Sequence, residues 1–272
     1  MTDWLGDHRE LRWFPGEAKG HATRIFVASN TRDVAVDASG RPLWISPDDD
    51  RILDHSQILI GTCDDWTYVG VQVSADHPGF QFAPLRPVLI QLQSAEFLPV
   101  SAGMQLLDFL AEHQYCGRCG HPTVPSTSDR GRTCEACHTP VYPRISPCVI
   151  VLITRGDELL LARSPRFVDG MYSTLAGFVE AGESAEHACH REIFEEVGVE
   201  IDHLAFQGSQ SWPFKHSLML GYRATWKSGD IAVDGVEIVD AQWFHKDALP
   251  TLPPHASISR GMIDAFLAER RA

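Results

Sequence analysis

The segment Gly177–Val199 (GFVEAGESAEHACHREIFEEVGV) most constrains the fold, because it combines a helical period with acids in an unusual place. The period predicts a helix from about Ser184 to Val197, with Gly198 as its C-terminal stop. At about 100° per residue, its apolar arc consists of Ala185, Cys189, Ile193 and Val197. Glu196 falls inside this arc and Glu192 at its edge, whereas an ordinary amphipathic helix turns its acids to water.

Glu192 and Glu196 are four residues apart, so their carboxylates project from one side of the helix. Two carboxylates about 4 Å apart repel each other by about 4 kcal/mol at an effective dielectric constant of about 20. A bound divalent cation removes this repulsion, and Mg²⁺ or Mn²⁺ suits oxygen ligands better than zinc does. A solvated acidic face is the alternative, and it fits Glu186 and Glu200. The inward pair therefore predicts a metal site.

The same segment resembles the Nudix box of the Nudix hydrolase superfamily at every defined position. The box reads G, five residues, E, seven residues, then R-E-U-x-E-E-x-G-U, where U is bulky and apolar. The matching residues are Gly177, Glu183, Arg191, Glu192, Ile193, Glu195, Glu196, Gly198 and Val199. The resemblance implies an α+β chain whose C-terminal domain is an α/β/α sandwich.

This resemblance also implies roles for the residues of the box. Glu192 and Glu196 would be metal ligands, and more than one Mg²⁺ or Mn²⁺ ion is expected. Arg191 would orient Glu195, which would act as general base or position the attacking water. Gly177 and Gly182 would give the loop its tight path near the phosphates.

A second resemblance, to the NADH pyrophosphatase family, concerns the substrate. The loop Ser209–Ser217 (SQSWPFKHS) resembles the motif SQPWPFPxS of that family, with six of eight specified positions in agreement and Ser211 and Lys215 in place of prolines. Leu175–Glu183 (LAGFVEAGE) is similar to the family's entrance to the box. The family also carries a zinc ribbon immediately before the Nudix domain.

This second resemblance implies further ligands. The carbonyl of Ala176 and the carboxylate of Glu237 would bind metal, and Phe178 would stack on a base or nicotinamide ring. The residues expected to bind substrate are Ala176, Phe178, Gln210, Trp212 and Ser217. Two of these roles have ordinary alternatives, since Glu237 taken alone fits a solvated loop acid and Trp212 a packed aromatic anchor. The family also implies a homodimer.

Two cysteine pairs, Cys116/Cys119 and Cys134/Cys137, have the spacing of a four-thiolate zinc site. Such a site leaves no coordination position open, so we expect one structural Zn²⁺ without catalysis. Four ordinary buried or redox thiols are the alternative. His121 and His138 adjoin the pairs, and we interpret them as bystanders because four cysteines complete the shell.

Length and composition set the remaining expectations. The 272 residues allow a β-rich N-terminal domain over 1–105, a zinc ribbon over 111–143 and a Nudix domain over 145–272. The formal charge of −13 disfavours broad binding of nucleic acid, although Arg118, Arg130, Arg132 and Arg144 form a locally basic region. We see no signal peptide, and the longest apolar run, Cys148–Ile153, is too short to cross a membrane. A cytoplasmic location is expected.

The expected reaction is the metal-dependent hydrolysis of NAD(H) to NMN(H) and AMP, and the 5′ end of NAD-capped RNA offers the same bond. Another nucleoside diphosphate derivative, such as ADP-ribose, is an alternative substrate. An alternative of a different class is a zinc-ribbon protein that binds nucleic acid or senses NAD without catalysis. The intact set Glu192, Glu195 and Glu196 argues against that class.

Overall fold

The computed structural model describes residues 22–30, 32–63, 65–92 and 94–270. Over these ranges the chain divides into two compact units. The N-terminal unit comprises residues 22–145 together with 213–216, and the C-terminal unit comprises 146–212 and 217–270. The three-way division at 1–105, 111–143 and 145–272 stays a prediction, and residues 1–21, 271 and 272 lie outside the described ranges. No helix in the described ranges is long and apolar enough to span a bilayer.

The N-terminal unit contains the predicted β-rich region, built as one mixed sheet with a long helix. Its elements are β1 (Ala22–Ser29), β2 (Asp33–Ala35), β3 (Trp44–Ile45), β4 (Gln57–Cys63), β5 (Trp66–Val73), β6 (Phe82–Pro84), α1 (Leu85–Leu89) and α2 (Ser94–Glu112). The strand order is β4-β5-β1-β2-β6, with β3 also paired to β1. Ile25, Phe26 and Val27 of the central β1 are fully buried, as expected for an apolar strand covered on both faces. Helix α2 lies close to this sheet, because a Cβ on Gly103 would be 2.8 Å from Ile60 Cδ1.

The same unit ends in a small three-stranded sheet that carries the cysteine pairs. Its strands are β7 (Thr123–Pro125), β8 (Arg132–Cys134) and β9 (Pro140–Val141), in the order β7-β8-β9. All neighbours are antiparallel. So few residues cannot bury a large apolar core, which agrees with a fold held by a metal.

The C-terminal unit is the predicted α/β/α sandwich. Its elements are β10 (Ser146–Arg155), β11 (Glu158–Arg163), β12 (Leu175–Phe178), α3 (Ala185–Val197), β13 (Glu200–Trp212), β14 (Ser217–Ser228), β15 (Asp240–His245) and α4 (Ile258–Glu269). The strand order is β13-β14-β10-β11-β15, and β12 also pairs with β10. Strands β10 and β14 run parallel, and the other neighbours are antiparallel. The α+β prediction is therefore confirmed.

Strand β10 shows why its sequence is apolar without alternation. Val149, Val151 and Ile153 pack in one core cluster, with α3 residues such as Ile193. The intervening side chains Cys148, Ile150 and Leu152 pack on the opposite face, against residues of α4. Because successive side chains point to opposite faces, a strand between two helical layers needs apolar residues at every position.

Helix α3 has the predicted ends. Ser184 is the N-cap residue, and its side-chain oxygen accepts a hydrogen bond from His187 N at 3.2 Å. Gly198 has φ of 72° and ends the helix in the left-handed conformation that favours glycine. The two caps fix where α3 begins and ends.

Candidate active site

Helix α3 turns the acid pair toward the protein interior. Glu196 is only 6% exposed, and its Oε2 is buried and accepts no hydrogen bond from the described residues. Burial raises the pKa of Glu196 to about 8, and the nearby charges of Glu192 and Glu237 act in the same direction. Burial likewise raises the pKa of Glu192. An ionised carboxylate here needs a cation to compensate its charge.

Gly177 makes room for Glu192. A Cβ built on Gly177 would lie 1.9 Å from Glu192 Cδ, which no side chain can tolerate. The resemblance implies that Gly177 and Gly182 give the loop its tight path through their backbone conformation. This holds for Gly182, which has φ of 88°, but Gly177 lies in strand β12 and pairs with Val149. Gly177 is therefore required for space rather than for a turn.

Arg191 ties the parts of the box together. Its Nε and Nη2 donate to the two oxygens of Glu183, each at 2.8 Å, in the bidentate geometry that favours arginine over lysine. Nη2 also donates to the carbonyl of Phe178 at 2.9 Å. Nη1 lies 3.0 Å from Glu195 Oε2 and 2.9 Å from Glu192 Oε1. The guanidinium lowers the pKa of Glu183 to about 2. The contact between Arg191 and Glu195 implied by the resemblance is present.

The donor set fits a hard divalent cation. The buried Glu196 Oε2 without a hydrogen-bond partner and the acid neighbours that raise its pKa both favour a bound positive charge. Glu192 and Glu196 would hold the ion. Glu192 would then replace its contact with Arg191 by a contact with the ion. Glu195 is 59% exposed, beyond the buried pair, where it remains accessible to solvent and substrate.

Glu237 lies in a loop that is organised by the side chain of Asp234. The side chain of Asp234 accepts hydrogen bonds from the backbone N–H groups of Val236, Glu237 and Ile238, at 3.2, 3.0 and 2.9 Å. Asp234 N in turn donates to the carbonyl of Glu196 at 3.1 Å. Asp234 therefore fixes the Glu237 loop against α3. The Asp-Gly pair at 234–235 is a turn signal that would have pointed to this residue.

Phe178 and Ala176 lie at the entrance to the box. Phe178 ends β12, and its ring is exposed (53%) although its carbonyl is bound by Arg191. Ala176 pairs with Ile150 of β10 and packs against the core on the α4 side. An exposed aromatic ring at the end of β12 suits stacking on a flat ligand. Both roles stay predictions.

The other three predicted substrate residues lie where β13 and β14 approach their shared end. Trp212 and Ser217 are partners in this ladder, and Trp212 packs against the core on the α4 side. Gln210 is 3% exposed: its Nε2 donates to Ala256 O at 2.7 Å, and its Oε1 accepts from Ile258 N at 2.8 Å. Gln210 therefore fixes the start of α4. Contact of Gln210, Trp212 and Ser217 with substrate stays a prediction.

The four cysteines come together as the spacing predicts. Cys116 Sγ lies 3.6 Å from Cys137 Sγ, and Cys119 Sγ lies 3.5 Å from Cys134 Sγ and 3.4 Å from Cys137 Sγ. A zinc tetrahedron with Zn–S of about 2.3 Å has edges of about 3.8 Å. Among the described residues, no other group of three or more His, Cys, Asp or Glu brings its ligand atoms within 4.8 Å of one another. The thiolates fit one structural zinc ion.

The locally basic region expected from the sequence is reduced by internal contacts. Arg130 donates to the carbonyl of Ile60 within the N-terminal unit. Arg132 donates to the hydroxyl and the carbonyl of Thr123, both at 2.7 Å. These two arginines therefore hold the ribbon rather than present a basic surface.

Comparison with known proteins agrees with these sites. A NUDIX domain model matches residues 144–266, and the NADH pyrophosphatase zinc ribbon domain matches residues 111–142. The NAD-capped RNA hydrolase NudC of Pseudomonas putida is 42% identical over 252 residues, which span 90% of each chain. The protein of the same name from Pseudomonas syringae pv. syringae is 52% identical over 192 residues, 71% of this chain and 69% of that one. The chain therefore belongs to the Nudix hydrolases, in the NADH pyrophosphatase family that carries a zinc ribbon.

Proposed function

We propose that this protein hydrolyses the pyrophosphate bond of NAD(H) to NMN(H) and AMP, and that it cleaves the same bond at the 5′ end of NAD-capped RNA. One observation carries the proposal: the buried carboxylate of Glu196, with an oxygen that has no hydrogen-bond partner among the described residues, lies beside the half-buried Glu192 inside a complete Nudix box. The relatives named NAD-capped RNA hydrolase support the choice of substrate.

In this proposal the ions would be held by Glu192, Glu196, Glu237 and the carbonyl of Ala176. Divalent ions, when bound, neutralise the pyrophosphate oxygens and acidify the attacking water. The water oxygen bonds to one phosphorus as the bridging P–O bond breaks, so that one phosphate leaves with each nucleotide.

The protein's own groups position the reactants. Glu195 is the candidate general base, because it is exposed and held at 3.0 Å by Arg191. Phe178 offers a ring for stacking on the adenine or nicotinamide, and Trp212, Gln210 and Ser217 complete the predicted substrate site. We further propose a homodimer and a reducing, cytoplasmic compartment, the latter supported by the four zinc-spaced thiols.

The test is incubation with NADH, NAD, ADP-ribose and NAD-capped RNA, with and without Mn²⁺, followed by chromatography of the products. We expect AMP and NMN(H) from the dinucleotides only with the metal. Glu196→Gln abolishes turnover, whereas the matched control Glu186→Gln, on the exposed side of the same helix, retains it.

Three other outcomes would each favour another function. Faster turnover of ADP-ribose than of NADH and capped RNA would make ADP-ribose the substrate. Binding of NAD without release of AMP would indicate a sensor. Binding of RNA with no hydrolysis of any of the four would indicate a zinc-ribbon adaptor.

A further inference from the structure

The tip of the motif Ser209–Ser217, residues 213–216 between β13 and β14, belongs to the N-terminal unit. Three consecutive residues of this tip are contacted by side chains of that unit, although the contacts join positions far apart in the sequence. Trp212 and Ser217, which flank the tip, are partners in the β13–β14 ladder. The N-terminal unit, whose role the sequence left open, thus holds the centre of the family motif.

Arg32 makes the central contact. Its Nη2 donates to the carbonyl of Pro213 at 2.8 Å and lies 2.8 Å from Asp108 Oδ2 of helix α2. Asp108 is largely shielded from water, and burial raises its pKa. Arg32 itself has φ of 70°, an unfavourable conformation for a residue with a side chain. Such a conformation persists only where the surrounding contacts determine it.

Two further contacts fix the residues that follow. The guanidinium of Arg86 lies 4.3 Å from the centre of the Phe214 ring, within the range of a cation–π interaction. Lys215 Nζ lies 3.3 Å from Glu112 Oε1, at the end of α2. The family motif has proline at position 215, so this ion pair is available only because the chain carries lysine there.

We propose that Arg32 is a positioning residue for the substrate loop. By holding the Pro213 carbonyl against Asp108, it restricts the paths open to Trp212 and Ser217 and so sets the affinity for the dinucleotide. The kinetic part of this inference rests on the proposed function. Arg32 has no predicted contact with the reacting phosphates, so its effect belongs in KM rather than in kcat.

The first test compares steady-state kinetics on NADH. Arg32→Ala is expected to raise KM by about tenfold and to change kcat by less than about twofold. Arg32→Lys is expected to retain more of the affinity than Arg32→Ala does, because lysine keeps the positive charge but lacks the several donors of the guanidinium. Arg41→Ala is the matched control, since Arg41 pairs with Glu96 in the same unit and leaves the tip untouched. An unchanged KM in Arg32→Ala would overturn the kinetic part.

The second test does not depend on activity. Lys215 is exposed and is a trypsin site, and cleavage after it requires the tip to leave its contacts. We expect the wild-type chain to resist cleavage at Lys215 and Arg32→Ala to be cleaved there at least about tenfold faster, as measured by mass spectrometry of the fragments. Equal cleavage rates would overturn the positioning role even if no dinucleotide were hydrolysed.

A third variant covers the case in which Arg32→Ala does not fold. Asp108→Asn keeps the size of the side chain but removes the charge that holds Arg32, so faster cleavage at Lys215 and a raised KM are expected there as well. Unchanged proteolysis and KM in a folded Asp108→Asn protein would reject the positioning role of Arg32. Failure of the wild type to cleave NADH would reject the proposed function, and proteolysis would still decide the role of Arg32.

Discussion

The carboxylate of Glu192 lies directly over the Cα of Gly177, so that one methyl group added to the glycine would overlap Glu192 Cδ at 1.9 Å. Two residues of the box, its first glycine and the first of the acids predicted to bind metal, are thus in one packing relationship between β12 and α3. Because Gly177 has no side chain, the carboxylate of Glu192 can occupy this space.

Gly177→Ala is therefore expected to displace Glu192 and to lower kcat/KM by at least about 100-fold, because a shift of about 1 Å at a reacting group has that effect. The measurement is steady-state hydrolysis of NADH together with Mn²⁺ titration. Gly156→Ala is the control: Gly156 has φ of 60° but no neighbour within 4 Å, so its cost is backbone strain of about 1 kcal/mol. Near-normal activity in Gly177→Ala would contradict this account.

Arg191→Lys tests whether the bidentate geometry of the guanidinium matters as well as its positive charge. Lysine cannot reach both oxygens of Glu183, the Phe178 carbonyl and Glu195 at once, so we expect kcat/KM to fall by about 10- to 100-fold, the range for residues that orient metal ligands. Arg155→Lys, which alters an exposed pair with Glu158, is expected to leave kcat/KM unchanged. A fully active Arg191→Lys enzyme would show that charge alone suffices.

The site could be predicted from the sequence where it depends on local periodicity. The position of Glu196 in the apolar arc of α3 follows from 3.6 residues per turn, and the buried carboxylate confirms it. Ser184 and Gly198 are local capping signals and lie where they were expected. The four cysteines were found by their spacing alone.

Features that depend on tertiary contact could not be predicted. Strand β12, LAGF, contains a glycine and an alanine, and it is a strand because its pairing with β10 overrides its weak propensity. Helix α2 (Ser94–Glu112) contains Pro99 in its interior, where sequence rules disfavour proline. The contact between Arg32 and Pro213 spans 181 positions and leaves no local signal.

Removal of zinc is expected to unfold the ribbon, because its three short strands cannot supply a core of their own. Cys134 is fully buried, and Cys134→Ser should reduce bound zinc from one ion per chain to none and lower the melting temperature. Metal content by mass spectrometry and a thermal melt provide the measurement. The control Cys63→Ala removes a buried thiol outside the cluster and should keep the zinc; equal zinc in Cys134→Ser would remove that cysteine from the site.

Stability in the absence of divalent ions should fall as pH rises from about 5 to about 8, because Glu196 has a pKa of about 8 in the folded protein and an ordinary value of 4.5 otherwise. Between these values the folded state holds a proton that the unfolded state has lost, so the free energy of unfolding decreases with pH, by at most about 1.4 kcal/mol per pH unit for one group. Glu183 has a lowered pKa and acts with the opposite sign, but only below its ordinary value of 4.5.

Metal binding should reverse this trend, because a cation binds the ionised carboxylate and its affinity is reduced by the need to displace the proton. Mn²⁺ is thus expected to raise the melting temperature more at about pH 8.5 than at about pH 6. Glu196→Gln, which carries no ionisable group, should flatten the metal-free slope across this window and lose the stabilisation by Mn²⁺. The acids that raise the pKa of Glu196 (Glu192, Glu237, Asp234 and Glu195) remain in that variant, so a slope that persists would assign the titration to one of them.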